Sequence, residues 1–135
     1  MQLVAYLNFP GSAREAMDFY AAALGGTVTQ RFTYGESPMA EQCGPASADK
    51  IMHSQVGAGS AMLMGADGPP PHEAGSTTIN IMPDTPEEAE RIFHALAEGG
   101  TITMPLEETF WAHRFGGIKD KYGKGWMVNC LKHMP

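Results

Sequence analysis

His53 is the residue of this chain best suited to move a proton or to donate a hydrogen bond to a small molecule. It stands inside Ile51-Met52-His53-Ser54-Gln55-Val56, a run that reads as a strand, and imidazole is the side chain whose charge changes near neutral pH. Facing a cavity, it would act as a catalytic base or donor; facing outward, it would pack or bond a loop. The sequence leaves both open. His72, His94, His113 and His133 fall in loops, on a charged helix face or at the C-terminus. No pair has His-Glu-x-x-His spacing, and there is no Gly-x-Gly-x-x-Gly, P-loop or Gly-x-Ser-x-Gly, so dinucleotide binding and nucleophile-elbow hydrolysis have no support. Cys43 and Cys130 match no metal or redox spacing. Both are expected as reduced thiols, Cys130 as a small buried side chain.

A second group of candidates is amide, aromatic and thioether. Asn80 and Asn129 lie in strand-like runs, and buried amides need partners that either a ligand or the backbone can supply. Phe110, Trp111, His113 and Arg114 form a long aromatic and basic segment. It can close over a small ligand, with Arg114 pairing an acidic group, or it can anchor itself or a dimer contact through Trp111. Met52, Met62, Met64, Met82, Met104 and Met127 fall in predicted strands. Thioethers suit a cavity for an apolar or aromatic molecule and also serve as ordinary core filling. Trp126 reads as core.

The elements that position these residues repeat. Ala16-Met17-Asp18-Phe19-Tyr20 leads through a helix to Gly25-Gly26-Thr27-Val28-Thr29, and Ala89-Glu90-Arg91-Ile92-Phe93 leads through another to Gly99-Gly100-Thr101-Ile102-Thr103. Two long units, rather than three or more short ones, point to pseudo-twofold symmetry. In the first half the pattern predicts a strand over Leu3–Phe9. A helix follows, capped by a Ser12/Glu15 capping box, with Ala16, Phe19, Tyr20 and Ala23 on its buried face, ending near Leu24 at a left-handed glycine stop. Then come a strand over Thr27–Tyr34, a loop over Gly35–Asp49, and a hairpin of Lys50–Val56 and Ser60–Met64. A Pro-rich connector, Gly65–Gly75, leads to a strand over Thr77–Met82. The next helix has Thr85 as cap and Pro86 at its first position and runs to about Glu98. Strands over Thr101–Leu106, Arg114–Lys119 and Gly125–Leu131 complete a second β-α-β-β-β order.

With 135 residues, 43% hydrophobic and 18% charged, the chain can fill the core of one domain. A formal net charge of −6 and scattered Lys and Arg argue against a nucleic-acid partner. No apolar run approaches the roughly 20 residues of a spanning helix, and the N-terminus lacks the pattern of a secretory signal. A cytoplasmic location and no membrane partner are therefore expected.

The chain resembles the PhnB-like branch of the glyoxalase/bleomycin-resistance/dioxygenase (vicinal oxygen chelate) superfamily, some of whose members carry the label 3-demethylubiquinone-9 3-methyltransferase domain. The resemblance rests on Tyr6-Leu7-Asn8-Phe9, Ala16-x-x-Phe19-Tyr20-x-x-x-Leu24-Gly25-Gly26 and Asp49-Lys50-Ile51-Met52-His53. It continues through Glu108-Thr109-Phe110-Trp111-x-x-Arg114-Phe115-Gly116 and Asp120-Lys121-Tyr122-Gly123-x-x-Trp126-Met127-Val128-Asn129. It implies an α+β fold: one glyoxalase-like domain over residues 1–135, built from two βαβββ modules (about 1–66 and 76–134). Their mixed sheets would curl into one cup with the helices outside. It also implies a homodimer.

In the superfamily a divalent metal sits in the cup, held by His, Gln or Glu from the first and last strand of each module. The resemblance carries these positions onto Ala5, Thr78, Met62 to Met64, and Met127. None is a strong ligand, and a slip by one residue brings up only Tyr6, Leu63 and Trp126. No metal site and no cofactor are therefore predicted. Asn80 and Asn129 share strand parity with Thr78 and Met127 and should face the cup.

The expected function is binding of a small, apolar or aromatic molecule in a cup lined by Met62, Met64, Thr78, Asn80, Met127 and Asn129. Trp111 and Arg114 join the substrate-binding candidates, and His53 is the catalytic one. Two alternatives stand: a divalent-metal-dependent lyase, isomerase or dioxygenase with His53 among its ligands, and a quinol O-methyltransferase, for which no methyl-donor loop is visible.

Overall fold

The computed structural model describes residues 2, 4–37, 40–68 and 78–132. Leu3, His72, Thr77, His133 and most of the expected connector lie outside these. Residues 1–73 and 74–135 form two compact units. The first contains β1 (Ala5–Phe9), α1 (Ala13–Leu24), β2 (Thr27–Thr33), the short α2 (Ala40–Cys43), β3 (Ile51–Ala58) and β4 (Ala61–Asp67). The second contains β5 (Thr78–Ile81), α3 (Pro86–Ala97), β6 (Thr101–Glu107), β7 (Ala112–Lys119) and β8 (Gly125–Leu131).

The strand orders are β1-β4-β3-β2 and β5-β8-β7-β6, so both units follow one topology. The first strand runs parallel to the last, and the remaining pairs are antiparallel. The α+β, β-α-β-β-β reading of each half therefore stands. No helix among the described residues is long and apolar enough to cross a membrane.

Each helix buries one stripe against its sheet. Ala13, Ala16, Met17, Tyr20, Ala21 and Ala23 of α1 are buried, as are Ala89, Ile92, Phe93 and Leu96 of α3. Met17 takes the place expected for Phe19, which is only half-buried. Burying a side chain the size of Met17 or Phe93 stabilises by about 1.5–3 kcal/mol.

The repeated Gly-Gly pair has a separate reason at each residue. Gly25 and Gly99 take φ of 72° and 74°, the left-handed region that ends a helix at little cost only for glycine. Gly26 and Gly100 have no room for a Cβ, which would press on the carbonyls of Gly57 and Lys119 respectively.

The two helix starts differ. Thr85 Oγ1 accepts from Glu88 N at 3.1 Å, the expected cap. Ser12 makes no side-chain cap, so the expected capping box is corrected. Asp67 replaces it: Oδ1 accepts from Ala13 N and Oδ2 from Ile51 N, both at 2.9 Å. One carboxylate thus joins the start of α1, the start of β3 and the end of β4. This also corrects the connector, because β4 continues past Met64 to pair Asp67 with Phe9. Gly35–Asp49 is not a plain loop, for α2 and a 3-10 turn at Pro45–Ser47 lie within it. β7 begins at Ala112, two residues earlier than expected, with a register shift between Ala112 and Arg114.

Asp67 is 6% exposed, so Asp67→Asn would set an amide N–H against a backbone N–H in a buried site. The expected cost is about 1–3 kcal/mol. It should appear as a lower urea midpoint at unchanged slope, while exposed Asp49→Asn stays within about 0.5 kcal/mol.

Candidate functional site

Helix contacts and strand alternation sort the first sheet into two faces. A Cβ on Gly65 would meet Met17 Sδ of α1 at 2.8 Å, so Leu63, Gly65 and Asp67 face the helix, as do their partners Val56 and Ser54. The opposite face, uncovered in the sense that α1 does not pack on it, carries Tyr6, Asn8, Gln55, Met62 and Met64, with Tyr6 beside Met64 and Gln55 across from Met64. Phe32 pairs with His53 and Thr33 with Ile51, which leaves Met52 as an extra residue in β3. Such a bulge re-aims side chains: Ile51 and Ser54 are both buried, while His53 stands on the uncovered side.

There His53 meets two rings. The Tyr6 phenol oxygen is hydrogen-bonded to His53 Nδ1 at 3.2 Å, with the ring centroids 5.9 Å apart. Phe32 stacks on the imidazole at 6.5 Å and 21°. Tyr6 and Phe32 are each 46% exposed. Partial burial, and secondarily the nearby Tyr34, hold the Tyr6 hydroxyl above the ordinary tyrosine range. His53 has no other hydrogen bond to the described residues.

In the second sheet Trp126, Val128 and Cys130 are buried, and Gly116, paired with Val128, would press a Cβ on Phe93 of α3. Met127, Asn129 and Phe115 therefore lie on the uncovered face, together with Thr78 and Asn80. Asn129 Oδ1 is buried and makes no hydrogen bond. Trp111 rests on Phe115 at 5.2 Å and on Phe110 at 4.8 Å, and Thr109 Oγ1 anchors this segment by accepting from Trp111 N and Ala112 N.

Arg114 stands apart from these residues. It pairs across the ladder with Cys130, on the helix side, and its Nε donates to Glu90 Oε1 of α3 at 2.9 Å. That bond, and then His94, holds the Glu90 carboxyl below its usual range. Trp126 Nε1 donates to buried Asp120 Oδ2 at 2.6 Å, as expected of a core residue. The Cys130 thiol is pushed up by burial and is thereby kept from nucleophilic use.

The model of the Glyoxalase/Bleomycin resistance protein/Dioxygenase superfamily matches residues 3–128. The chain belongs to that superfamily. It is 35% identical to Protein YjdN of Escherichia coli K12, over all of this chain and 99% of that one. It is 43% identical to the crystal structure of protein PA1353 from Pseudomonas aeruginosa, with a TM-score of 0.85 over 98% and 99% of the two chains. A PhnB protein from Bacillus cereus, provisionally labelled 3-demethylubiquinone-9 3-methyltransferase, is 27% identical, with a TM-score of 0.78 over 97% and 100%.

The superfamily's metal finds a poor donor set here. Ala5 pairs with Leu63 on the helix side, so the uncovered positions of β1 are Tyr6 and Asn8, one residue away from the expected alignment. The first and last strands of the two sheets offer the uncovered faces a phenol, amides, thioethers and a threonine hydroxyl. Their single carboxylate, Asp67, faces α1 and is taken by backbone amides. Among the described residues no group of three or more His, Cys, Asp or Glu lies together. Divalent ions of this chemistry are held chiefly by imidazole and carboxylate donors, with an amide at most as a supplement, and the described residues of these strands do not supply that set.

The sequence reading missed Tyr6 and Phe32 as partners of His53. The period-2 pairing of Tyr6 with Asn8 was the available signal, and alignment on Ala5 hid it. Because the folded state holds the Tyr6 proton where the unfolded chain, near its reference value of 10.0, has lost it, stability must fall as pH rises through this range. Urea midpoints between about pH 9 and 11 should fall less steeply for Tyr6→Phe than for the unsubstituted protein.

Proposed function

We propose that the protein binds a small, apolar or aromatic molecule on its uncovered sheet faces, without the divalent metal usual in the superfamily. The observation that carries this reading is the group of partly exposed rings, Tyr6, Phe32 and His53, beside Met64 on the face opposite α1. Apolar area left in water at a concave or sheet surface is characteristic of ligand sites. Met62 extends the same face, and Thr78, Asn80, Met127 and Asn129 give the second sheet a similar amide and thioether lining. Trp111 sits beside that lining through Phe115. Arg114, engaged with Glu90, is left out of the ligand contacts. The partner is a small molecule rather than nucleic acid, and the protein works in the cytoplasm as a homodimer.

The methyl-transfer label stays with the Bacillus protein. The turn after β1, Pro10-Gly11-Ser12, is not a glycine-rich nucleotide loop, and β1 reaches its parallel neighbour β4 through α1, β2 and β3 rather than by the direct β-α-β step that builds dinucleotide folds.

Protein carrying 13C-methyl methionine, titrated with indole, indane and benzoate, tests the reading. The Met62, Met64 and Met127 methyl signals should shift saturably with at least one of them, and protein purified without chelator should hold far less than one divalent ion per chain. Immobile methyl signals with every compound at millimolar concentration would refute binding. A stoichiometric ion whose removal moves these same signals would refute the metal-free reading.

A further inference from the structure

We infer that Tyr6 is a positioning residue for His53: its phenol holds the imidazole as the Nε2–H tautomer, so that the first sheet offers one N–H donor to an aromatic ligand bearing a neutral carbonyl oxygen. The ligand class rests on the binding reading above, whereas the tautomer does not.

The direction of the Tyr6–His53 bond follows from the chemistry of its two partners. A phenol O–H is a stronger donor than an imidazole N–H, and an unprotonated ring nitrogen is a stronger acceptor than a phenol oxygen. At 3.2 Å between the oxygen and Nδ1, the favoured arrangement is O–H donating to Nδ1. The phenol keeps its proton for this purpose, since burial disfavours the phenolate. A neutral imidazole whose Nδ1 accepts carries its hydrogen on Nε2. That nitrogen has no partner among the described residues and is not among the buried, unpaired polar atoms, so it is open to a ligand.

The surroundings select what Nε2–H meets. Phe32 lies nearly parallel to the imidazole, and Met64 lies beside Tyr6 in the parallel ladder, so a flat ring has apolar contacts next to the donor. Among the described residues of β1 to β4, no Lys or Arg lies on this face. Arg31, the basic residue of β2, pairs with Ser54 on the helix side and is engaged by Asp18 at 2.7 Å. A carboxylate would find only neutral donors and no counter-charge from these strands, whereas a carbonyl needs no more than the imidazole N–H.

The test uses 1-indanone against indane, a pair that differs in the carbonyl, with 15N spectra of the histidine rings recorded for the neutral form. His53 Nδ1 should resonate as an unprotonated, hydrogen-bonded nitrogen and should lose the hydrogen-bond shift in Tyr6→Phe. A protonated Nδ1 would overturn the tautomer assignment. Indanone should bind about fivefold more tightly than indane, the worth of one neutral hydrogen bond. His53→Leu should abolish that preference, and Tyr6→Phe should reduce the ratio of indanone to indane affinity. Equal binding of the two compounds to the unsubstituted protein would overturn the ligand class and leave the binding reading standing. Failure of both to bind would remove the binding reading and the ligand class together, with the ring spectra still deciding the tautomer.

Discussion

One helix cannot cover both faces of a four-stranded sheet. Strands sit roughly 4.8 Å apart and a helix is roughly 10 Å across, so α1 and α3 each seal one face and leave the other without a helix. The strands are written for this asymmetry. In β8, Trp126, Val128 and Cys130 are buried while Met127 and Asn129 between them are not. The sealed face is held at close range. Gly65 and Gly116 admit Met17 and Phe93 to the sheet surface, where a Cβ would strike them at 2.8 and 2.7 Å. Any larger residue at these points would lift a helix away from the sheet and loosen the strands that carry His53 and Asn129.

The same asymmetry governs where charge is used. The buried carboxylates work in the scaffold. Asp67 ties two chain segments through backbone amides, and Asp120 accepts from Trp126 Nε1, Tyr122 N and Lys124 N. A buried carboxylate bonded in this way satisfies donors that would otherwise be costly to bury. It is also unavailable to a ligand or ion. The acidity of the chain, a net charge of −6, therefore does not reach the strand positions around His53, where the described side chains are rings, amides and thioethers, whereas the second sheet carries Glu107 across from Phe115.

Much of this was legible in the residues, and the parts that were not share a cause. The Gly-Gly-Thr repeat marked the two halves because local backbone needs, a left-handed residue followed by a close approach, recur at the same place in each. Thr85 and Pro86 announced α3 because a cap and the first helical residue are local features. Asp67 could not be read as the cap of α1, since it lies 54 residues from Ala13 and only the parallel β1–β4 pairing brings it there. The bulge at Met52 was equally hidden, because register is a property of two strands. The face of His53 depended on that bulge, and the Tyr6 contact depended on the register of β1, which an alignment fixed on Ala5 places one residue out. A slip of one in a strand exchanges its faces, so the fold survived the error and the site did not.

The Tyr6–His53 pair illustrates what a sheet face can offer without an ion. A metal polarises a carbonyl strongly, yet it demands several good ligands, chiefly imidazoles and carboxylates, converging on one point. Here the strands give those positions to a phenol, amides and thioethers. A phenol-supported imidazole needs only two side chains on neighbouring strands, and its N–H is directional and uncharged. It therefore discriminates by the presence and placement of an acceptor rather than by charge, and it keeps the flanking surface apolar enough for Phe32 and Met64 to contribute through contact area. Weak polarisation joined to apolar contact favours recognition over bond-breaking. On that physical ground the arrangement suits holding an aromatic molecule better than activating it.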